Sequence, residues 1–280
     1  MKIALTGASG FIGRALTERL RKAGHVIQPV SLRGALTPDA LAGCDAVVHL
    51  AGEPVAQRWT SDARERIRKS RVEGTHALVE AMRARPPQVL ISASAVGYYG
   101  SRGDELLTEA SPPADDFLGQ VAVAWEREAQ AAESLGVRVA RLRFGMVLGP
   151  GGGALARMLT PFRLGVGGRI GDGGQWMSWI HLDDLTALIA FLLKESTVRG
   201  AFNAVSPHPV TNSEFTDALA RAVHRPAFLP VPVFALKLMF GDMASIILAS
   251  QRAIPDAAIR AGFTFEYPDI FGSLAQILES

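Results

Sequence analysis

The strongest constraint on this chain stands at its beginning. A short apolar run, Lys2–Thr6, leads without a break into Gly7-Ala8-Ser9-Gly10-Phe11-Ile12-Gly13, and Phe11–Ala23 then has helical spacing. A strand–turn–helix of this kind needs glycine at three places: in a tight turn, where backbone approaches a pyrophosphate, and where the helix closes on the strand. The helix start then offers free N–H groups and the positive end of its dipole to phosphate. Gly24 sits where a helix-ending glycine is expected. A glycine pattern alone says little; one that follows a strand and opens a helix points to a nucleotide site.

The same alternation continues. His25–Leu32 is predicted as the second strand and Ala46–Leu50 as the third, ending at Ala51-Gly52. A long helix follows over Ser61–Arg83, stopped by Pro86-Pro87. Val89–Ala93 is a strand, Phe117–Leu135 a helix and Val137–Leu142 another strand. Repeated βα units of this kind imply a parallel sheet. The fold class is therefore α/β: a Rossmann-type doubly wound parallel sheet with a smaller C-terminal substrate lobe.

From Gly149 to Gly174 ten of 26 residues are glycine, which marks either a functional loop region or a poorly ordered one. Beyond it Trp179–Leu193 reads as strand then helix, Ala201–Val205 as a last sheet strand, Phe215–Val223 as helix and Pro226–Pro232 as an extended segment. This layout assigns residues 1–150 together with 179–206 to a nucleotide-binding domain, and 151–178 together with 207–280 to a substrate or lid lobe.

Composition narrows the function class. Of 280 residues 48% are hydrophobic and 20% charged, which is globular composition. The net charge of +2, from 29 basic and 27 acidic residues, argues against a nucleic-acid partner. The basic run Arg64, Arg66, Arg68, Lys69 and Arg71 is the nearest approach to one. Cys44 is the sole cysteine, so no intramolecular disulfide forms; it is expected to be a small buried residue in a reducing compartment. The apolar start ends at Thr6-Gly7, too short for a signal segment, and Lys237 and Asp242 interrupt the apolar stretch near Ile246–Ala249. The expectation is a soluble, cytoplasmic protein with a small-molecule substrate, no membrane partner and no metal; oligomeric state is open.

The spacing Gly-x-x-Gly-x-x-Gly resembles the short-chain dehydrogenase/reductase superfamily. His49-Leu50-Ala51-Gly52 looks like that family's motif after its fourth strand, where backbone lies against the adenosine. Arg71-Val72-Glu73-Gly74-Thr75 stands where extended members carry Asn-Val-x-Gly-Thr. Ser92–Gly100 resembles their Ser-Ser-x-x-Val-Tyr-Gly segment, and Trp179–Leu185 their Phe-Ile-His-Val-Asp-Asp segment. His49–Pro54, Gly149–Gly153, Ser206–Phe215 and Gln251-Arg252-x-Ile254-Pro255 are similar to an atypical epimerase-like subfamily with a distinctive C-terminal extension. The resemblance runs over essentially the whole chain. It implies cofactor contacts at Gly7, Ser9, Gly10, Phe11, Ile12, Gly13, Leu50, Ala51, Gly52, Ser92, Ala93 and Met146.

NAD and NADP part at the end of the second strand, where an acid binds a ribose 2′-OH and a hydroxyl with an arginine suits a 2′-phosphate. Val30-Ser31-Leu32-Arg33-Gly34 has no acid. Ser31 and Arg33 therefore predict NADP over NAD, with Arg71 a second candidate for the 2′-phosphate.

Short-chain dehydrogenases normally use a Tyr-x-x-x-Lys pair, the lysine lowering the tyrosine's pKa, with a serine on the preceding strand. Ser94 suits that serine. Counting back from Glu126, however, places Leu118 and Ala122 where the tyrosine and lysine belong. Tyr98 and Tyr99 are the nearest substitutes as catalytic residues. Arg143, Gln175, Trp176, Ser178 and His181 are candidates for the substrate cleft, while Asp183 and Asp184 are expected to cap the helix beginning at Leu185. Phe234, Leu238, Met239, Phe240 and Ile246–Leu248 are expected to cover the cleft or form core. Three readings stay open: an NADP-dependent oxidoreductase or epimerase-like enzyme, an NADP-binding sensor without turnover, and a nucleotide-sugar epimerase.

Overall fold

The computed structural model describes residues 1–34 and 36–279. The central sheet is built from β1 (Lys2–Thr6), β2 (Val26–Val30), β3 (Ala46–His49), β4 (Val89–Ala95), β6 (Arg138–Phe144) and β10 (Gly200–Ala204), with β5 (Leu106–Leu107), β7 (Met146–Leu148), β8 (Trp176–Met177) and β9 (Trp179–His181) as short strands outside it. The six sheet strands lie in the order β10-β6-β4-β3-β1-β2, and every pairing is parallel. Ile3 stands opposite both Ile27 and Ala46, so β1 is paired on both sides.

Side-chain alternation explains why helices cover both faces. Ile3, Leu5, Val48 and Ile91 enter one core together with Leu16 and Leu20 of α1 (Phe11–Lys22). Ala4, Val47 and Leu90 enter another, with Leu78 and Met82 of α2 (Ser61–Met82) and Ala129 of α3 (Phe117–Gln130). Successive residues of a strand point to opposite faces, so a strand buried on both reads as a continuous apolar run. A third core joins Leu155 and Phe162 of α4 (Gly153–Arg163) to Trp179, to Phe215 and Leu219 of α6 (Asn212–Ala222), and to Leu274 and Ile277 near the C-terminus. α5 (Leu182–Lys194) packs on the first face.

Element ends follow local chemistry. Gly24, at φ +80°, closes α1: its N–H donates to the Arg21 carbonyl and that of His25 to the Leu20 carbonyl, the Schellman arrangement. The expected helix Phe117–Leu135 is α-helical only to Gln130 and finishes as a 3₁₀ turn at Gly136, φ +78°. The glycine-rich stretch contains α4, which the glycine count concealed. Its glycines serve contact: a Cβ on Gly152 would lie 2.4 Å from the Phe11 ring and one on Gly149 would lie 2.7 Å from Leu182.

Two local expectations are corrected. His181, not Asp183 or Asp184, caps the helix after β9: the helix starts at Leu182, and the Asp183 N–H donates to His181 Nδ1 at 3.1 Å. Asp184 instead accepts the N–H groups of Glu266 and Tyr267 at 2.8 and 3.0 Å. Cys44 is only half-buried, with burial pushing its thiol pKa up.

The C-terminal segment pairs with short strands outside the central sheet. β11 (Val210–Thr211) pairs with β8, and β12 (Arg252–Ala253) pairs with β5 just after β4. The Gln251 amide donates to the carbonyls of Val96 and Gly100, and Arg102 N–H donates to the Ser250 carbonyl. Part of this segment stays uncovered. On α7 (Val233–Phe240), Phe234 is 74% and Leu238 82% exposed, so the expected cover or core role fails for them. Among the described residues no helix is long and apolar enough to cross a membrane.

Candidate cofactor and substrate site

All six sheet strands point their carboxyl ends the same way, and the order reverses at β1, between β2 and β3. Ligands of open parallel sheets bind outside that crevice. Gly7 stands there at φ +71°, and a Cβ on it would come 2.9 Å from the Leu50 carbonyl carbon. A Cβ on Gly13 would sit 2.1 Å from the Gly7 carbonyl oxygen, and one on Gly10 3.2 Å from it. The turn is thus as tight as three glycines allow, and it lies against the backbone of Leu50 and Ala51. α1 begins at Phe11 with no side-chain cap, which leaves its first-turn N–H groups for a ligand. This cradle fits a dinucleotide pyrophosphate.

The Thr6 hydroxyl holds β1 and β3 together at that end. It accepts the N–H groups of Leu50 and Ala51 at 3.1 and 3.2 Å and lies 2.7 Å from His49 Nδ1. His49 Nε2 meets the Thr75 hydroxyl at 2.9 Å. Burial pulls the His49 pKa down to about 4, with the charge of Arg71 adding to the effect. The ring is neutral and serves as a strut.

Ser31 and Arg33 follow β2. The Arg33 N–H donates to the Ser31 hydroxyl at 3.1 Å, and the Arg33 side chain is exposed without a partner among the described residues. Arg71 lies on α2. Its Nη1 donates to the carbonyls of Glu53 and Ile67, and its guanidinium stands 5.1 Å above the Trp125 ring. It is also close to Gly52, after β3. Leu32, the residue before Arg33, packs against α2 one turn beyond Arg71, since a Cβ on Gly74 would lie 3.5 Å from it.

The expected catalytic residues are mostly sealed. The Ser94 hydroxyl donates to Glu126 Oε1 at 2.7 Å, and Arg143 clasps the same carboxylate through Nε at 2.8 Å and Nη2 at 3.0 Å. Arg143 Nη1 also donates to the Tyr99 hydroxyl at 2.8 Å, which in turn donates to Asn203 Oδ1 at 2.7 Å. Tyr99 has no exposed surface, and burial raises its pKa to about 12. That hydroxyl is held neutral at neutral pH and is bonded on both sides. Tyr99, Ser94 and Arg143 therefore build a buried strut behind the crevice, which corrects their catalytic and substrate assignments. Tyr98 differs. It is half-buried, its ring lies 3.5 Å from the Arg143 guanidinium, and its hydroxyl has no protein partner among the described residues. Leu118 packs beside Gly97, and Ala122 is buried. Neither supplies a proton.

The substrate candidates divide in the same way. The Ser178 hydroxyl donates to the Gln251 carbonyl and accepts the Ala253 N–H. His181 is buried, stacked on Tyr267 at 4.1 Å, with Nε2 3.0 Å from Gln276. Both are structural, a second correction of that set. Gln175 Nε2 is buried and has no protein partner among the described residues. Trp176 donates from its indole to Asp104 at 2.7 Å, and Arg252 lies 4.3 Å over its ring. Arg252 Nε is likewise buried without a partner among those residues. The sequence motif Gln251-Arg252-x-Ile254-Pro255 had marked this arginine, although nothing local showed that it would meet Trp176. Ser92 and Ala93 are buried within β4, and Met146 is half-buried in β7. Among the described residues no cluster of His, Cys, Asp and Glu is arranged to hold a metal.

Comparison with known proteins now decides the family. Residues 3–205 match the model of the NAD dependent epimerase/dehydratase family. The chain belongs to that family. Residues 231–277 of this family member match a second model, a domain of unknown function, DUF1731. An epimerase family protein YfhF from Bacillus subtilis is 37% identical, over 99% of this chain and 98% of the relative. Epimerase family protein SDR39U1 from Homo sapiens is 36% identical, over 99% and 100%. A crystal structure of human SDR39U1, described as containing NADPH, superimposes with a TM-score of 0.92 at 35% identity, with 100% of each chain covered. UDP-sugar epimerases such as that of Thermus thermophilus, at 19% identity and TM-score 0.77, share the fold of this epimerase/dehydratase family member.

Proposed function

We propose that this chain is an NADP-dependent oxidoreductase of the epimerase-like kind, acting on a small carbonyl or alcohol compound. The carrying observation is the glycine cradle at Gly7, Gly10 and Gly13, set against Leu50–Gly52, beside a second strand whose end offers Ser31 and exposed Arg33 and no acid. The NADPH described in the human relative's crystal structure supports the same cofactor. Gly7–Gly13 and the uncapped start of α1 hold the pyrophosphate, and Ser31 with Arg33 holds the 2′-phosphate. A bound nicotinamide supplies or accepts hydride at a carbinol or carbonyl carbon. The chain's own part is to hold the substrate over the strand ends and to move one proton. Tyr98 is the group we assign to that proton, because its hydroxyl is uncommitted while those of Ser94 and Tyr99 are bound.

The test is a fluorescence titration with NADPH and NADH, on the wild type and on Arg33→Ala. A preference for NADPH of tenfold or more, about 1.4 kcal/mol, that the variant loses supports the assignment. Equal or tighter NADH binding overturns it.

A second reading rests on two observations: no ionisable pair stands at Leu118 and Ala122, and apolar Phe234 and Leu238 are exposed. A sensor that binds NADP without turnover and docks a partner has those features. Turnover of NADPH with any member of a carbonyl panel, lost in Tyr98→Phe, excludes it. The sugar-epimerase reading draws on the family and on a 36% identical structure described as a nucleoside-diphosphate sugar epimerase from Corynebacterium glutamicum, TM-score 0.82 over 99% of this chain and 58% of that one, but its chemistry leans on the missing pair.

A further inference from the structure

Arg71 is a cation held at the crevice without a counter-charge. Among the described residues no carboxylate lies within ion-pair distance of it. The carboxylate of neighbouring Glu53 turns to Arg66 at 3.6 Å and to Gln57 at 3.0 Å. Among the described residues only Nη1 of the Arg71 guanidinium has hydrogen-bond acceptors, two backbone carbonyls. Gly52 and the Trp125 ring wall it in, and Trp125 Nε1 is buried with no partner among the described residues. Burial brings its pKa down to about 10, partly offset by Glu53.

A half-buried guanidinium with no ion-pair partner among the described residues is an expensive arrangement, because two carbonyls, the Trp125 face and the nearby Glu53 charge return only part of the hydration it loses. The guanidinium lies beside Gly52, which follows the carboxyl end of β3, where ligands of open parallel sheets bind. Arginine presents a planar fork of donors suited to a carboxylate or a phosphate. We propose that Arg71, standing on Trp125 beside Gly52, receives an oxyanion of the substrate, so that the substrate is a carbonyl or alcohol compound carrying a carboxylate or phosphate group. The inference rests on the oxidoreductase reading above and extends it to the substrate class.

The probes are two matched pairs: acetoacetate with methyl acetoacetate, and dihydroxyacetone phosphate with dihydroxyacetone. Each is titrated calorimetrically into NADPH-saturated wild type, Arg71→Met and Arg71→Lys, with NADPH affinity measured on all three. The expected result is at least tenfold tighter binding of the charged member of one pair. That preference falls below threefold in Arg71→Met, survives in part in Arg71→Lys, and leaves NADPH affinity within twofold. Absence of preference in the wild type, or its persistence in Arg71→Met, overturns the proposal. A tenfold loss of NADPH affinity in Arg71→Met also overturns it, since the oxyanion is then the cofactor's. If the wild type binds no NADPH, the cofactor reading fails instead, and the same pairs titrated alone still test Arg71. Thermal melts guard against misfolding: all three proteins unfold cooperatively, and inorganic phosphate raises the midpoint of wild type more than that of Arg71→Met.

Discussion

Arg143 and Glu126 form a two-pronged ion pair, at 2.8 and 3.0 Å, that ties β6 to α3 in the interior. Ser94 adds its hydroxyl to the same carboxylate, and Tyr99 accepts a further Arg143 N–H. The surroundings raise the Arg143 pKa above its ordinary value: burial opposes this, but Glu126 outweighs it. Replacing one partner of a buried pair strands the other. Glu126→Ala is expected to lower stability by about 3–5 kcal/mol, measured by urea unfolding. A loss below about 1 kcal/mol, the scale of a surface pair, would show that water reaches Arg143.

Tyr99→Phe and Tyr98→Phe separate structure from chemistry. The first removes the hydroxyl between Arg143 and Asn203 and is expected to cost about 1–3 kcal/mol through unpaired buried groups, with turnover retained in the folded fraction. The second is expected to leave stability within about 0.5 kcal/mol and to lower kcat at least tenfold. Reversed outcomes would move the proton to Tyr99.

Alkaline titration gives an independent view of Tyr99. Its pKa in the folded protein is about 12, against 10.0 for an ordinary tyrosine. The neutral form is favoured by folding, so this contribution is complete below pH 10 and fades as pH rises through about 12. Absorbance at about 295 nm, the phenolate band, is expected to show a tyrosine that ionises late or only with unfolding. Tyr99→Phe removes that step; its survival there would reassign it, Tyr267 being the other tyrosine with a raised pKa.

His49 carries the opposite window. Its pKa falls from 6.5 to about 4 on folding, so its stabilising contribution is whole above pH 6.5 and lost as pH falls through about 4. Urea midpoints measured between pH 7 and 4 are expected to drop more steeply in wild type than in His49→Gln. The comparison matters because half-buried Glu109 and buried Asp184, with raised pKa values, slope the other way near acid pH. Equal slopes would mean that His49 is solvated.

Two glycines should fail for different reasons. Gly13→Ala drives a Cβ against the Gly7 carbonyl oxygen, at 2.1 Å, and is expected to abolish NADPH binding. Gly24→Ala meets nothing within 4 Å and suffers only from φ +80°. That costs about 1–2 kcal/mol and leaves NADPH affinity unchanged. NADPH titration and thermal melts on both variants check this.

The cofactor half of the site was legible because its signals are local. Gly7, Gly10 and Gly13 are set by the sharpness of one turn, and Gly24 by one helix end. The empty places at Leu118 and Ala122 were also readable, since helix spacing from Glu126 is fixed. The roles of Ser94, Tyr99, Arg143, Ser178 and His181 were not. Each is a polar residue near a strand end, and spacing alone cannot tell whether its partner is a ligand or another segment of the chain.

What the sequence determined alone was the strand–turn–helix opening, the run of βα units that forces a parallel sheet, and the absence of Tyr-x-x-x-Lys. Periodicity and backbone sterics act over a few residues, so a few residues suffice to read them. Tertiary structure decided which polar groups remain available. Glu126 reaches Arg143 across 17 positions, Tyr99 reaches Asn203 across 104, and Ser178 reaches Gln251 across 73. Burial commits those groups to one another, because an unpaired buried donor costs more than a paired one gains. Tyr98 and Arg71 keep donors without a side-chain partner among the described residues because the packing of distant segments left them so.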